Sequence, residues 1–325
     1  MKLCLHIERW QASAPLRITG RVFEFFECVV VELQEGITLG RGEALGIFYK
    51  GETAETMAQQ IESIRPVIEA GIDRTRLQDM LPLGGARHAI DQALWDLEAK
   101  TSGRSIWQMT GIEPRSIQSG MTIGIEATPE QMAARARELT SYTTLKVKLD
   151  EHQPVERVTA IRQARPDATI HVDANQGWTL GQLKEVAPLL ADMNVRMIEQ
   201  PLPRGGDAEL ATYRSPVPLC ADESCFDLDD LDEVSRRYQM INIKLDKTGG
   251  LTHALQLAKA ARERGLALMV GCMGGTSLAM APAFVLGCIA DLVDIDGPPW
   301  LRNDRGHGMH YGGAILEPFG PELWG

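Results

Sequence analysis

The sequence predicts an α/β chain built on a (β/α)8-type barrel, with a smaller α+β domain ahead of it. Three observations lead there. Five polar residues, Lys148, Asp173, Glu199, Asp222 and Lys244, each close a short apolar, strand-like run, and they follow one another at steps of 25, 26, 23 and 22 residues. That step is about the length of a strand, a helix and two loops in a parallel βα unit. The ladder extends forward through Ala267–Gly271 and Asp291–Asp296, and backward to a weaker run at Met121-Thr122-Ile123. Finally, the ladder leaves more than a hundred residues in front of it, within which the pattern shifts from strand-like to helical.

In chain order, residues 1 to about 50 read as a β-meander, with Cys28–Leu33 a strand and Gly36 and Gly40 punctuating the turns. Arg21–Glu27, placed in the loop before that strand, holds three phenylalanines; it is either a strand with a hydrophobic face or a lid over a pocket. From Thr53 to about Gly71 the apolar spacing is helical. A second helix runs from about Ala86 to Thr101, where Ala86, Ala89, Ile90, Ala93, Leu94 and Leu97 trace one face and Gly103 is the stop. His88 on that helix reads as a packed or surface histidine.

Composition narrows the function. A chain of 325 residues with 44% apolar content can bury a large core and hold two domains. A net charge of −11, without basic runs, argues against nucleic acid or an anionic membrane as partner. The six scattered cysteines form no Cys-x-x-Cys pair and read as reduced thiols, and the N-terminus turns polar too early for a signal peptide, so the expected location is cytoplasmic. Gly265–Ala290 carries no charge until Asp291, but its glycines and Pro282 divide it into strand, loop and helix rather than a membrane span.

The chemistry is centred on Leu145-Lys146-Val147-Lys148-Leu149. On a strand, Lys146 and Lys148 share one face. Two ammonium groups roughly 7 Å apart repel by about 2 kcal/mol at an effective dielectric near 20, which lowers a lysine pKa towards the range of a general base. The alternative is an edge strand with a solvated face. Asp173, Glu199 and Asp222 end three consecutive strands, and three carboxylates at one barrel mouth need a cation between them. All-oxygen ligation selects Mg2+ or Mn2+. The absence of a His-x-His pair disfavours a zinc hydrolase. Asn175 and Glu223 lie just past ligands, where they would support them. With Lys148 and Lys244 on strands two and six, a metal-held carboxylate can lose its α-proton to one lysine and regain one from the other. That is a racemase or epimerase.

The motifs Lys146-Val147-Lys148, Asp173-Ala174-Asn175, Ile198-Glu199-Gln200-Pro201, Ala221-Asp222-Glu223-Ser224 and Asn242–Gly250 resemble those of the enolase superfamily, muconate-lactonizing-enzyme subgroup, over essentially the whole chain. The resemblance implies a (β/α)7β-barrel under an N-terminal α+β capping domain. The expected division is 1–115 for the cap, 116–300 for the barrel and 301–325 for a segment returning to the cap. It also implies that Asp173, Glu199 and Asp222 hold one Mg2+ per subunit (Mn2+ being possible). Lys148 and Lys244 are then the acid/base pair working through an enediolate, a use of lysine and metal general to the superfamily. Lys146 helps hold Lys148 neutral. Within the subgroup the chain is most similar to dipeptide epimerases: Asp294 and Asp296 match an Asp-x-Asp that binds the dipeptide ammonium group, which needs a partner when buried. The resemblance points to L-Ala-D/L-Glu as the substrate pair, with a role in murein peptide metabolism, and to a homo-oligomer. Arg21 matches by position a loop arginine that meets a glutamate side chain, whereas Phe23, Phe25 and Phe26 around it favour an apolar or broad specificity. Cys272–Thr276 lacks an acidic residue that many relatives carry after strand seven. Same-fold alternatives are an N-succinylamino acid racemase, o-succinylbenzoate synthase or cycloisomerase. A Schiff-base aldolase using Lys244 and a non-catalytic binding barrel complete the rivals.

Overall fold

The computed structural model describes residues 1–325. Its first portion is an antiparallel sheet, β1 (Lys2–Ile18), β2 (Arg21–Glu35) and β3 (Thr38–Ala44), followed by α1 (Ala54–Ser63), α2 (Arg65–Glu69), α3 (Arg74–Met80), α4 (Gly85–Ser102) and α5 (Ile106–Thr110). The meander and the two helical regions are as expected from the sequence, with α3 and α5 additions. Arg21–Glu27 is not a loop but the first half of β2, paired with β1 up to the contact of Ile18 with Arg21. The turn is only Thr19-Gly20, where Gly20 takes φ +71°, so both strands run out to the tip of one long hairpin. Helix α4 packs directly on β3. A Cβ at Gly40 or Gly42 would collide with the backbone of α4, at the carbonyls of Ala93 and Ala89, so the Gly-x-Gly spacing lets helix and sheet approach. Gly103 ends α4 in the left-handed conformation.

After β4 (Ile117–Gln118), which lies outside the barrel sheet, the barrel begins with β5 (Met121–Ile123), α6 (Pro129–Glu138), β6 (Thr144–Lys148), α7 (Pro154–Ala164), β7 (Thr169–Asp173), α8 (Leu180–Asp192) and β8 (Val195–Glu199). It continues with β9 (Leu219–Ala221), α9 (Leu231–Arg237), β10 (Met240–Lys244), α10 (Leu245–Thr248), α11 (Leu251–Glu263), β11 (Ala267–Gly271), α12 (Ser277–Gly287) and β12 (Leu292–Asp294). Strands β5 to β12 lie side by side in chain order, all parallel. The ring closes where Gly120 N donates to Val293 O at 2.9 Å. No α-helix follows β12, so the barrel has eight strands and seven crossovers. The crossover from β8 to β9 uses only a 3-10 turn, Ala208–Ala211. Strand β6 lies between β5 and β7, which rules out the edge-strand reading of the two lysines. The uncharged stretch after Gly265 resolves into β11, a loop and α12, and no helix is long and apolar enough to cross a membrane.

The cap sits over the barrel through buried polar contacts. Helix α4 touches both sides: its apolar face covers the sheet, and Arg87 donates to Thr248 O (2.7 Å) and Gly249 O (3.2 Å) of the barrel. Asp246, two residues past Lys244, accepts from Leu45 N (3.0 Å) and Gly46 N (2.7 Å) just past the end of β3. The final segment, with β13 (Ile315–Leu316) paired to β4, returns to the cap. There Trp324 donates to Gln92 O, and Gly325 N donates to Asp96.

Candidate active site

The geometry of β6 follows from its sequence. Leu145, Val147 and Leu149 point out to the helices and are fully buried, while Lys146 and Lys148 point into the barrel and are only 4% and 8% exposed. Register carries these side chains onto their neighbours: Lys148 is opposite Asp173, and Asp173 opposite Glu199. Lys148 Nζ lies 2.6 Å from Asp173 Oδ2, and Lys146 Nζ lies 3.2 Å from the same oxygen, 2.8 Å from Glu199 Oε2 and 2.9 Å from Asp294 Oδ2. Across the barrel Lys244 Nζ meets Asp222 Oδ2 at 2.7 Å. Strands β6 and β10 are the second and sixth of eight, so the two lysines enter the mouth from opposite walls.

The charges explain the ionisation. Burial opposes a charge on Lys146, but Asp294, Glu199 and Asp173 overcome it and hold the ammonium firmly. For Lys244 burial is likewise outweighed, chiefly by Asp222, and its pKa moves up. Asp173 and Asp222 are pulled below the usual carboxylate range by their lysines despite burial. Glu199 moves the other way, raised by burial and by Asp173. The expected lysine–lysine repulsion is therefore embedded in a larger field of carboxylates.

Whether a divalent cation suits this set is answered by the oxygens. Asp173, Glu199 and Asp222 are fully buried, and Glu199 Oε2 and Asp222 Oδ1 have no hydrogen-bond partner. Each is within ion-pairing distance of a lysine, Lys146 and Lys247 respectively, but not in hydrogen-bonding alignment with it. Hard anionic oxygens with spare lone pairs and no nitrogen or sulfur donor fit Mg2+ or Mn2+. Lys146 bridges Asp173, Glu199 and Asp294, Lys244 and Lys247 pair with Asp222, and no three of the carboxylates converge on one point.

Above this floor, between barrel and cap, lies a cavity of about 670 Å³ counted together with the solvent at its mouth. Lys146, Lys148, Lys244, Asp222, Asp294 and Asp296 face it from the barrel, and Leu16, Ile18, Phe23, Phe26, Phe48 and Tyr49 face it from the cap. The phenylalanine segment is thus both of its alternatives, a strand and a wall of the pocket: Phe23 and Phe26 stack at 5.4 Å. Asp296 Oδ2 accepts from Thr122 N (2.8 Å) and Trp300 Nε1 (3.2 Å). Burial and the neighbouring Asp294 push its carboxyl up to about 6. Asp294 offers a buried, unpartnered Oδ1. Glu223 also faces the cavity, with an unpartnered Oε2; burial and the Asp222 and Asp173 charges raise it to about 8. Asn175 lines the cavity at φ +43°, its backbone N–H donating to Asp173 Oδ1. Arg21 lies off the main cavity, its guanidinium 4.7 Å from the Phe23 ring and 4.6 Å from that of Phe48. Cys272, Met273 and Gly274 form the wall left open by the missing acidic residue. A carboxylate reaches that loop from elsewhere: Glu43 of β3 accepts from Thr276 N and Oγ1 and pairs with Arg305.

Sequence reasoning passed over several residues that hold this site. Asn242 Nδ2 donates to Glu199 Oε1 at 2.7 Å; two residues before Lys244 on the same strand, it shares that inward face, and the alternation alone could have found it. Gln200 accepts from Asp222 N and Ser224 N, and Lys247 grips Asp222.

Comparison with known proteins adds the lineage of this geometry. Residues 2–111 match the model for the mandelate racemase / muconate lactonizing enzyme N-terminal domain, and residues 130–302 that for the enolase C-terminal domain-like family. The chain is 45% identical to an L-Ala-D/L-Glu epimerase of Escherichia coli (strain K12) over 300 residues, 91% of this chain and 93% of that one. It is 40% identical to an N-acetyl-D-glutamate racemase of Pseudoalteromonas sp over 299 residues, covering 91% and 95%. A crystal structure of an Agrobacterium tumefaciens enolase family member, with bound sodium and L-Ala-L-Glu, superimposes with TM-score 0.97 at 39% identity over 99% of both chains.

Proposed function

Because the chain belongs to the mandelate racemase / muconate lactonizing enzyme family of the enolase superfamily, we propose that it is a dipeptide epimerase that inverts the α-carbon of the C-terminal residue, with L-Ala-D/L-Glu as its substrate pair. The observation that carries this reading is the pairing of two opposed lysines with two half-satisfied aspartates in one cavity. Lys148 and Lys244 flank the space where an α-carbon would sit. Asp294 and Asp296 each keep an oxygen for an ammonium group.

Asp173, Glu199 and Asp222 would hold one divalent cation per chain, Mg2+ or Mn2+. When bound, the cation supplies positive charge against the negative charge that develops on the substrate carboxylate as the α-proton leaves. The remaining work belongs to the side chains. Asp294 and Asp296 orient the dipeptide by its amino end, so that the C-terminal α-carbon falls between the lysines. One lysine takes the α-proton and the other returns a proton to the opposite face. Lys146 remains an ammonium, counter-ion to Asp173, Glu199 and Asp294. The hydrophobic wall from the hairpin excludes water from the exchanging proton.

Proton NMR in D2O with a panel of L,L-dipeptides tests this. Loss of the C-terminal α-proton signal, fastest for L-Ala-L-Glu, supports the proposal. Exchange of N-acyl amino acids with none of any dipeptide would move the chain to the racemase function of its Pseudoalteromonas relative.

A further inference from the structure

Each proposed base shares its carboxylate with a second lysine. Lys148 and Lys146 both reach Asp173 Oδ2. Lys244 reaches Asp222 Oδ2, and the other oxygen, Oδ1, lies 2.7 Å from Lys247 Nζ. The companion on the first wall is two residues back along the strand; that on the second is three residues on, in the short helix α10. Lys247 has no exposed surface, an expensive place for an ammonium unless every proton is used. All are: Nζ donates to Asp222 O (2.5 Å), Cys225 O (2.9 Å) and Asn242 O (2.9 Å). A residue needed only to fill the space between β9 and β10 would be apolar. This one spends its charge on the carboxylate that orients Lys244, and its hydrogen bonds on the main chain carrying that carboxylate.

We propose that Lys247 is the positioning residue for the base on the sixth barrel strand, fixing the Asp222 carboxylate so that its second oxygen aims Lys244 at one face of the substrate. This rests on the epimerase reading. It also predicts an asymmetry, because no hydrogen bond or ion pair links Lys247 to Lys148 or Asp173. Loss of Lys247 should impair one stereochemical half-reaction and spare the other.

The test is α-proton exchange in D2O, followed separately from L-Ala-L-Glu and L-Ala-D-Glu, for wild type, Lys244→Ala, Lys247→Met and Lys247→Gln. The glutamine variant keeps hydrogen-bond donors and removes the charge. In support, both Lys247 variants slow exchange of the enantiomer that Lys244→Ala abolishes at least ~10-fold more than exchange of the other, about 1.4 kcal/mol of selectivity. A second readout needs no turnover. In chelator-treated protein, trinitrobenzenesulfonate should label Lys244 faster in the variants than in wild type, with Lys148 unchanged, as read by peptide mass spectrometry. Equal slowing for both enantiomers, unchanged labelling, or failure of both variants to fold by circular dichroism overturns the proposal and leaves Lys247 a structural pin. Absence of exchange in the wild type would instead refute the epimerase reading.

Discussion

Replacing Asp296 by asparagine separates recognition of the ammonium group from everything else the cavity does. Asp296 Oδ2 is already committed to Thr122 N at 2.8 Å and Trp300 Nε1 at 3.2 Å, both donors. The new amide must keep its single carbonyl oxygen on those donors, which turns its NH2 towards the ligand. An acceptor for the substrate ammonium thereby becomes a second donor. Truncating one partner of a buried, hydrogen-bonded charge pair costs about 2–5 kcal/mol, and Asp294 still serves the ammonium, so we expect the lower part of that range. At 1.4 kcal/mol per decade, kcat/KM for L-Ala-L-Glu should fall ~30- to 200-fold. The control is propionyl-L-glutamate, the same dipeptide without its amino group, measured as a competitive inhibitor. Its Ki should change by less than about fivefold, or about 1 kcal/mol. The same contrast appears with pH. Burial and Asp294 raise the Asp296 carboxyl to about 6. Above that pH it is the anion that an ammonium needs, and below it the proton competes. Dipeptide kcat/KM should therefore drop as the pH falls through about 6, while the Ki of the deaminated analogue does not follow. Equal weakening of both ligands, or of neither, would refute an ammonium role for Asp294 and Asp296.

Lys148→Ala and Lys244→Ala should each abolish net epimerisation while leaving exchange of a single, different enantiomer, seen by NMR in D2O. Full epimerisation by either variant defeats the two-base scheme. Stripping divalent ions with a chelator should stop exchange for every dipeptide, and adding Mg2+ should restore it. Arg21→Ala should raise KM for L-Ala-L-Glu about 10-fold or more, by loss of a charge-assisted contact worth about 1.5–3 kcal/mol, with apolar dipeptides unaffected; equal KM changes would place Arg21 outside substrate recognition. Gly42→Ala sets a methyl against the α4 backbone, with Ala93 N at 2.9 Å. It should cost about 1–3 kcal/mol of stability, visible as a lower urea midpoint with unchanged exchange per folded molecule.

The barrel was legible because its chemistry and its geometry repeat together. Asp173, Glu199 and Asp222 each end an apolar run at a nearly constant step, so one reading places strand, strand end and proposed ligand at once. The hairpin was less legible. Strand β2 carries Phe23, Phe25 and Phe26 before the valines of its paired core, and its register with β1 shifts between Gln11 and Leu16. No regular alternation runs through such a join, so Arg21–Glu27 reads as a loop. The missing helix between β8 and β9 has a similar cause: Pro201, Pro203, Gly205 and Gly206 stop a helix from forming, and only the 3-10 turn at Ala208–Ala211 remains. Lys247 and Glu43 were hidden for a different reason. One lies a helical turn past a strand end and the other on a cap strand, and local sequence says nothing of the distant carboxylate or hydroxyl that justifies burying them.

The division of labour between the two domains follows from these contacts. Every cation that lines the main cavity is Lys146, Lys148 or Lys244, and each is already paired with an aspartate or glutamate of the barrel. On the proposed reading the barrel would carry proton transfer and recognition of the amino end, with no free positive charge for a substrate side chain. What meets that side chain comes from the cap: the apolar face of Leu16, Ile18, Phe23, Phe26 and Phe48, with Arg21 lying across Phe23 and Phe48 at its margin. The cap is registered on the barrel by Asp246, two residues past Lys244, which holds Leu45 and Gly46, and by Glu43 on the loop after β11. On that reading a change of side-chain preference would be made in the hairpin, outside the barrel strands that carry the proposed bases and metal ligands, while the proton chemistry beneath it stays the same.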